Sequence, residues 1–138
     1  MKEKLDEQSI LALIHYRMER ADEAKEEASI LSGSGHYNAA VNRLYYACFY
    51  STQALLLSHQ ITTITHSGVK SMLGKHFVSK GIISVELGKT FNILFEKRHS
   101  SDYEAFAYCD KAMVDDLSSL SEAYISRIKN LLEEQNKI

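Results

Sequence analysis

From Glu3 to Ser32 small and apolar residues return in steps of three and four, at Ile10, Ile14, Ala21, Ala24, Ala28 and Leu31, with Arg17 on the same stripe. That period marks one face of an α-helix and predicts a long first helix. The stretch "SGSGHYN" interrupts it, and a second helix is expected from His36 to His59. "ITTIT" is β-branched enough to pass for a strand, but one short strand has nothing to pair with, so it reads as a loop. Ser67 is expected to cap a third helix through Phe77 by accepting from a free amide of the first turn. Ser84 and Glu86 open a fourth helix that ends near Arg98, since an N-cap oxygen and an early acid both suit the positive helix end. "HSSDYEAFAY" is read as partly irregular. A last helix from Asp110 to Glu134 carries Met113, Leu117, Leu120, Tyr124, Ile128 and Leu131 on one face.

Long helices joined by short breaks pack most simply as neighbours running up and down. The expected fold is therefore all-α, an up-and-down antiparallel bundle of about five helices, with a four-helix core plus a short extra helix. One domain over residues 1–138 is long enough to bury about two thirds of its unfolded surface. The chain contains no proline, and its glycines punctuate the helices rather than interrupt them.

Composition narrows the function classes. Apolar residues make up 45% and charged residues 25%, the balance of an ordinary globular protein. The most apolar run, around Ala54–Leu57, is far too short to cross a bilayer, and the N-terminus lacks the apolar core of a secretory signal. A cytoplasmic location without membrane contact follows as the expectation. Cys48 and Cys109 have no metal-ligand spacing and read as free thiols, so no metal is expected. No phosphate-binding loop, dinucleotide fingerprint or nucleophile elbow is present, and no cofactor is implied. The formal net charge of −2 excludes a broad positive field for duplex nucleic acid, so any RNA contact has to be local.

The feature that calls for chemistry is Arg43 within "NAAVNRLYYACFYSTQALLLSHQ". At roughly 100° per residue, Tyr46 and Tyr50 share its side of the helix, while Val41, Leu44, Tyr45, Cys48 and Leu55 lie opposite. Ala39, Ala47 and Ala54 flank the cation and would let another backbone or a ligand come close. Burying an unpaired guanidinium costs several kcal/mol, so Arg43 meets an acid on a neighbouring helix, opens onto solvent, or faces an anion such as phosphate. A second polar group, Arg98, Asp102 and Tyr103, is placed at a helix end, where the arginine would hold terminal carbonyls and pair with the acid. His99 beside it is of a type that titrates near neutrality, and His66 is positioned to orient the start of the third helix.

"YNAAVNRLYYACFYSTQALLL", "THSGVKSMLGKHFV" and "RHSSDYEAF", in that order, resemble the HEPN family, in its small single-domain branch, with the resemblance covering about Met18 to Leu132. The resemblance implies a helical bundle, usually a homodimer, from bacterial or archaeal defence and toxin-antitoxin systems, often beside a minimal nucleotidyltransferase. Active members are metal-independent RNases in which an arginine steadies the scissile phosphate and a histidine a few residues on moves the proton. Carried onto this chain, Arg43 matches the arginine, but the histidine position holds Tyr50. A phenol is a poor general base at neutral pH, though it donates well to phosphate. Tyr46 keeps the family's aromatic, and Arg98, Asp102 and Tyr103 match its second polar element.

Three functions are thereby in view. One is a nucleotide- or RNA-binding protein with a degenerate RNase motif, holding single-stranded RNA or a nucleotide at Arg43, Tyr46, Tyr50, Arg98, Asp102 and Tyr103. Another is a true endoribonuclease in which His99 or His66 stands in for the missing base. The last is a non-catalytic interaction subunit held by a partner. All three predict a dimer that covers the alanine-lined face of the second helix by symmetry.

Overall fold

The computed structural model describes residues 6–103 and 109–138, with the side chains of residues 99–103 outside the description. Its elements are α1 (Glu7–Gly33), α2 (Tyr37–Ser58), α3 (His66–Leu73), a π-helical turn (Gly74–Val78), α4 (Val85–Tyr103) and α5 (Lys111–Glu134). No strand occurs among the described residues, and residues 61–64 form the expected loop. Helix α2 is the central element, packed on α1, α3, α4 and α5. This is the up-and-down bundle with α3 as its short extra helix.

Boundaries shift where local chemistry decides them. Helix α1 starts at Glu7 rather than Glu3, because Asp6 accepts from the Ser9 amide at 2.7 Å and caps it. Thr65, not Ser67, caps α3: its hydroxyl lies 2.9 Å from the Gly68 amide, whereas Ser67 is already within the first turn. The α-helix stops at Leu73 and widens into the π turn before Phe77 is reached. Ser84 does cap α4, accepting from the Leu87 amide at 3.1 Å. That helix then runs on to Tyr103, since neither glycine nor proline lies between Arg98 and Tyr103 to stop it. Arg98 is thus inside α4 and is not a C-cap.

Helix ends share one device. After α1 the His36 amide reaches back to Leu31 O and that of Gly35 to Ser32 O, with Gly35 at φ +80°. The same pair of bonds closes the π turn at Gly81, at φ +73°, and closes α2 at Gln60, where a residue with a β-carbon takes φ +60°.

The core places Val41, Leu44, Tyr45, Cys48 and Leu55 inside, as the helical projection requires. Along α5, Leu117, Tyr124, Ile128 and Leu131 are buried, but Leu120 is 43% exposed, and Ile125 and Leu132 fill the core instead. Burial pushes the Cys48 thiol up to about 12 and leaves it unreactive at neutral pH. Thr52 links α2 to α5: its hydroxyl donates to Cys48 O at 2.7 Å and lies 2.6 Å from the Tyr124 hydroxyl.

Helices α1 and α2 are antiparallel, for Glu27 meets Arg43 and, seven residues back along α1, Arg20 meets Tyr50, seven residues forward along α2. Both helices bury alanines, Ala21, Ala24 and Ala28 on one and Ala40, Ala47 and Ala54 on the other, which lets them approach closely. The alanines Ala47 and Ala54 are therefore covered within the chain, contrary to the expectation that they offer a small-residue surface to a ligand or a second copy. Of that set only Ala39 is exposed. No helix among the described residues is long and apolar enough to cross a membrane.

Gly81→Ala should lower the unfolding free energy by about 1–2 kcal/mol, because alanine in the left-handed region strains the turn. Gln60→Gly should not lower it, since glycine relieves the same strain there. Urea unfolding of the two variants measures both.

Candidate functional site

Helix α2 carries a half-buried stripe at helical spacing: Asn42 and Arg43, then Tyr46, Tyr50 and Gln53. The Arg43 guanidinium carbon sits 5.0 Å from the centre of the Tyr46 ring. That ring lies 5.8 Å from Tyr50, over which Arg20 of α1 stands at 5.2 Å. Tyr50 is also the main influence that raises the pKa of Arg20 further. The result is a continuous row, arginine, tyrosine, tyrosine, arginine, along the seam between α1 and α2. Such contacts are worth about 0.5–1 kcal/mol each when partly exposed, enough to orient a guanidinium without burying its charge.

Arg43 meets an acid without being saturated by it. Its Nε lies 3.3 Å from Glu27 Oε1, but the N–H is not aligned for a hydrogen bond, and the Arg43 and Glu27 side chains are 26% and 49% exposed. Arg20 also pairs with an acid, here through a hydrogen bond of 3.3 Å from its guanidinium to Glu23 Oε2, and that carboxylate is 58% exposed. Arg17, one turn before Arg20, has a shielded Nε without an aligned acceptor. Exposed carboxylates held by single contacts of this kind contribute little energy and can yield to a phosphate, which can accept two bonds from one guanidinium. The two sequence expectations for Arg43, an ion pair and an open cation, are both partly realised.

His66, at the first position of α3, completes the cluster. Its Nδ1 is 2.8 Å from the Tyr45 hydroxyl, its ring stacks on Phe49 at 4.4 Å, and it meets Tyr46 edge-on at 5.7 Å. Burial pushes the Tyr45 phenol well above its ordinary value, with Arg98 partly opposing. The phenol therefore keeps its proton; it either donates to Nδ1, with the His66 proton on Nε2, or its oxygen accepts from Nδ1–H, with Nε2 left unprotonated. Arg98, reaching from α4, stands over the Tyr45 ring at 5.6 Å. Arg43 and Arg98 are thus held against neighbouring tyrosines whose rings lie 5.2 Å apart.

The structure accordingly gathers Arg43, Tyr46, Tyr50 and Arg98. The backbones of His99, Asp102 and Tyr103 continue α4, but their side chains lie outside the described residues. Arg20 was not legible as a site residue, although its place three residues after Arg17 on α1 was a signal. Cations, partly exposed tyrosine rings and a histidine held among them are residue types suited to holding a phosphate and stacking a base.

Comparison with known proteins agrees over most of the chain. Residues 14–134 match the model of the HEPN domain. A "UPF0332 protein" of Thermotoga maritima is 35% identical over 122 residues, spanning 88% of this chain and 92% of that one. A Methanocaldococcus jannaschii protein named "Putative toxin" is 32% identical over 119 residues, 86% of this chain and 81% of its own. The crystal structure of TT1696 from Thermus thermophilus superposes with a TM-score of 0.72 at 14% identity, covering 85% of this chain and 96% of that one, which shows a shared fold.

Glu27→Gln should change stability by less than about 0.5 kcal/mol, as expected for an exposed ion pair. Tyr45→Phe, which strips His66 of a buried partner, should cost about 1 kcal/mol. Chemical denaturation distinguishes them, and a large loss from Glu27→Gln would make the ion pair structural rather than exchangeable.

Proposed function

We propose a function from one premise: the chain belongs to the HEPN family. It is a toxin-like HEPN protein, and it binds a nucleotide or the end of a single-stranded RNA on the surface formed by Arg43, Tyr46, Tyr50 and Arg98. Asp102 and Tyr103, one turn beyond Arg98 on α4, extend that surface in the proposal. The observation that carries it is the row of arginines over tyrosines, in which the Arg43 charge is oriented by a ring and met by an exposed, exchangeable carboxylate. Relatives named as toxins support the biological setting. In that setting the protein acts in the cytoplasm as a homodimer alongside a minimal nucleotidyltransferase.

Binding proceeds in two parts. A phosphate oxygen displaces Glu27 and accepts from the Arg43 guanidinium, while Arg98 adds a second positive charge nearby. A base then stacks on Tyr46 or Tyr50, a contact indifferent to sequence because every base has a π face. Tyr50 donates its hydroxyl to a phosphate and does not act as the base.

A second reading, metal-independent RNA cleavage, is favoured by His66 rather than by Tyr50. In the tautomer that donates Nδ1–H to the Tyr45 oxygen, His66 has Nε2 unprotonated beside the ring that holds Arg43, and that nitrogen takes a proton from a 2′-hydroxyl while arginine steadies the phosphate.

Fluorescence anisotropy with labelled single-stranded RNA tests the binding. Arg43→Ala should weaken it by about ten- to a hundred-fold, the loss of a charge-assisted bond, and Tyr46→Ala should weaken it about ten-fold, the loss of a stacked base. Unchanged affinity in both variants would overturn the proposal. Incubation of varied RNAs with chelator present decides the second reading: cleavage lost in His66→Ala supports it, and intact RNA removes it. Light scattering should return twice the mass of one chain, and a monomer mass would contradict the dimer.

A further inference from the structure

Charge is unevenly divided along the chain. Residues 66–98, which contain α3, the π turn and most of α4, hold six of the 16 lysines and arginines but only two of the 18 acids. A protein of net charge −2 thus carries a distinctly basic helical pair beside the arginine–tyrosine row.

A groove of about 520 Å³ runs between α3 with its π turn and α4. Lys70 stands on one wall and Lys89 on the other, with Ser67, Ser71 and Asn92 as further donors, and among the described residues that line it there is no carboxylate. The two helices run closely past one another because Gly88 has no side chain: a β-carbon there would meet Val78 Cγ2 at 2.9 Å. On the opposite wall, Gly74 leaves open space, with nothing within 4 Å of an added β-carbon.

Neither lysine is firmly held. Lys70 lies 3.7 Å from Glu96 and Lys89 4.0 Å from Glu86, and those carboxylates are 69% and 85% exposed. Lys70 also sits 4.7 Å over the Phe95 ring. Phe95, at that end of the groove, is 6.2 Å from Tyr45, the tyrosine that holds His66 and lies under Arg98. At this end the groove lining also includes Ser67, which follows His66 in the chain, and Phe95 precedes Arg98 by one helical turn, so the groove ends next to residues of the candidate site.

We propose that this groove is the track for the sugar-phosphate backbone of a single-stranded RNA whose end is held at Arg43, Tyr46 and Tyr50. The inference rests on the nucleotide reading of that site and adds to it a second binding surface, one that only a strand longer than a dinucleotide reaches. A lining with two lysines and no carboxylate, ending beside the chain neighbours of His66 and Arg98, favours this occupant over an acidic protein segment. Lys70 and Lys89 neutralise successive phosphates, and the serine and asparagine side chains donate to backbone oxygens. Val85 and Phe95 offer apolar surface to the sugars and bases.

Two labelled probes separate the groove from the site, a dinucleotide and a single-stranded RNA of about twelve nucleotides, a length in the range of single-strand binding sites. Lys70→Gln combined with Lys89→Gln should weaken the longer RNA about ten-fold and reduce the slope of log affinity against log salt by about 1.4, the value for two phosphate contacts on a single strand. The dinucleotide should bind as before. Gly74→Leu, which fills the groove where nothing is displaced, should weaken the longer RNA without lowering stability. If both variants bind the longer RNA normally while Arg43→Ala loses the dinucleotide, the groove inference fails and the site stands. If the original protein binds neither probe, both fall. If the variants lose only an acidic helical peptide, the groove belongs to a protein partner and the inference is overturned.

Discussion

A guanidinium held over a tyrosine ring at the border of the core is the interaction on which the rest depends. Full burial of Arg43 would force a permanent, saturated ion pair, and full exposure would leave the side chain unoriented. The ring of Tyr46 avoids both. It takes up the apolar face of the cation, leaves the N–H edge available, and is itself fixed by contact with Tyr45, Phe49, Tyr50 and His66. The core therefore positions the charge without consuming it.

That arrangement follows from two faces of one helix doing different things. The alanine seam of α1 and α2 brings the two backbones close, and closeness carries Arg20 over Tyr50 and Glu27 to Arg43. Helix α4 supplies the third cation, over the Tyr45 ring, and α3 supplies the histidine. Each of these contributions comes from a helix packed directly on α2. A change in the seam would be felt at the site before it was felt in the distant parts of the core.

The bundle, and the sidedness of α2, could be read from periodicity because helix geometry alone decides which residues share a face. Ser84 could likewise be identified as a cap from its hydroxyl and the acid that follows. Gln60 could not be recognised as a helix terminator, since glutamine has no preference for the left-handed region and only the packing around it imposes that conformation. The extension of α4 past Arg98 was missed because polar composition suggested a loop where nothing actually breaks the helix. In the site, Arg43, Tyr46 and Tyr50 were legible because they lie on one helix. Arg20 and the bond between Tyr45 and His66 depend on the register between helices, which a linear pattern does not contain.

The central claim is that this surface of α2 receives a nucleotide. Photocrosslinking of single-stranded RNA carrying 4-thiouridine, followed by mass-spectrometric mapping of the modified peptides, tests it without reliance on any substitution. Adducts are expected at Tyr46 or Tyr50, suppressed by excess unlabelled RNA. Adducts confined to α5, or their complete absence from α2 under conditions where RNA is bound, would contradict it.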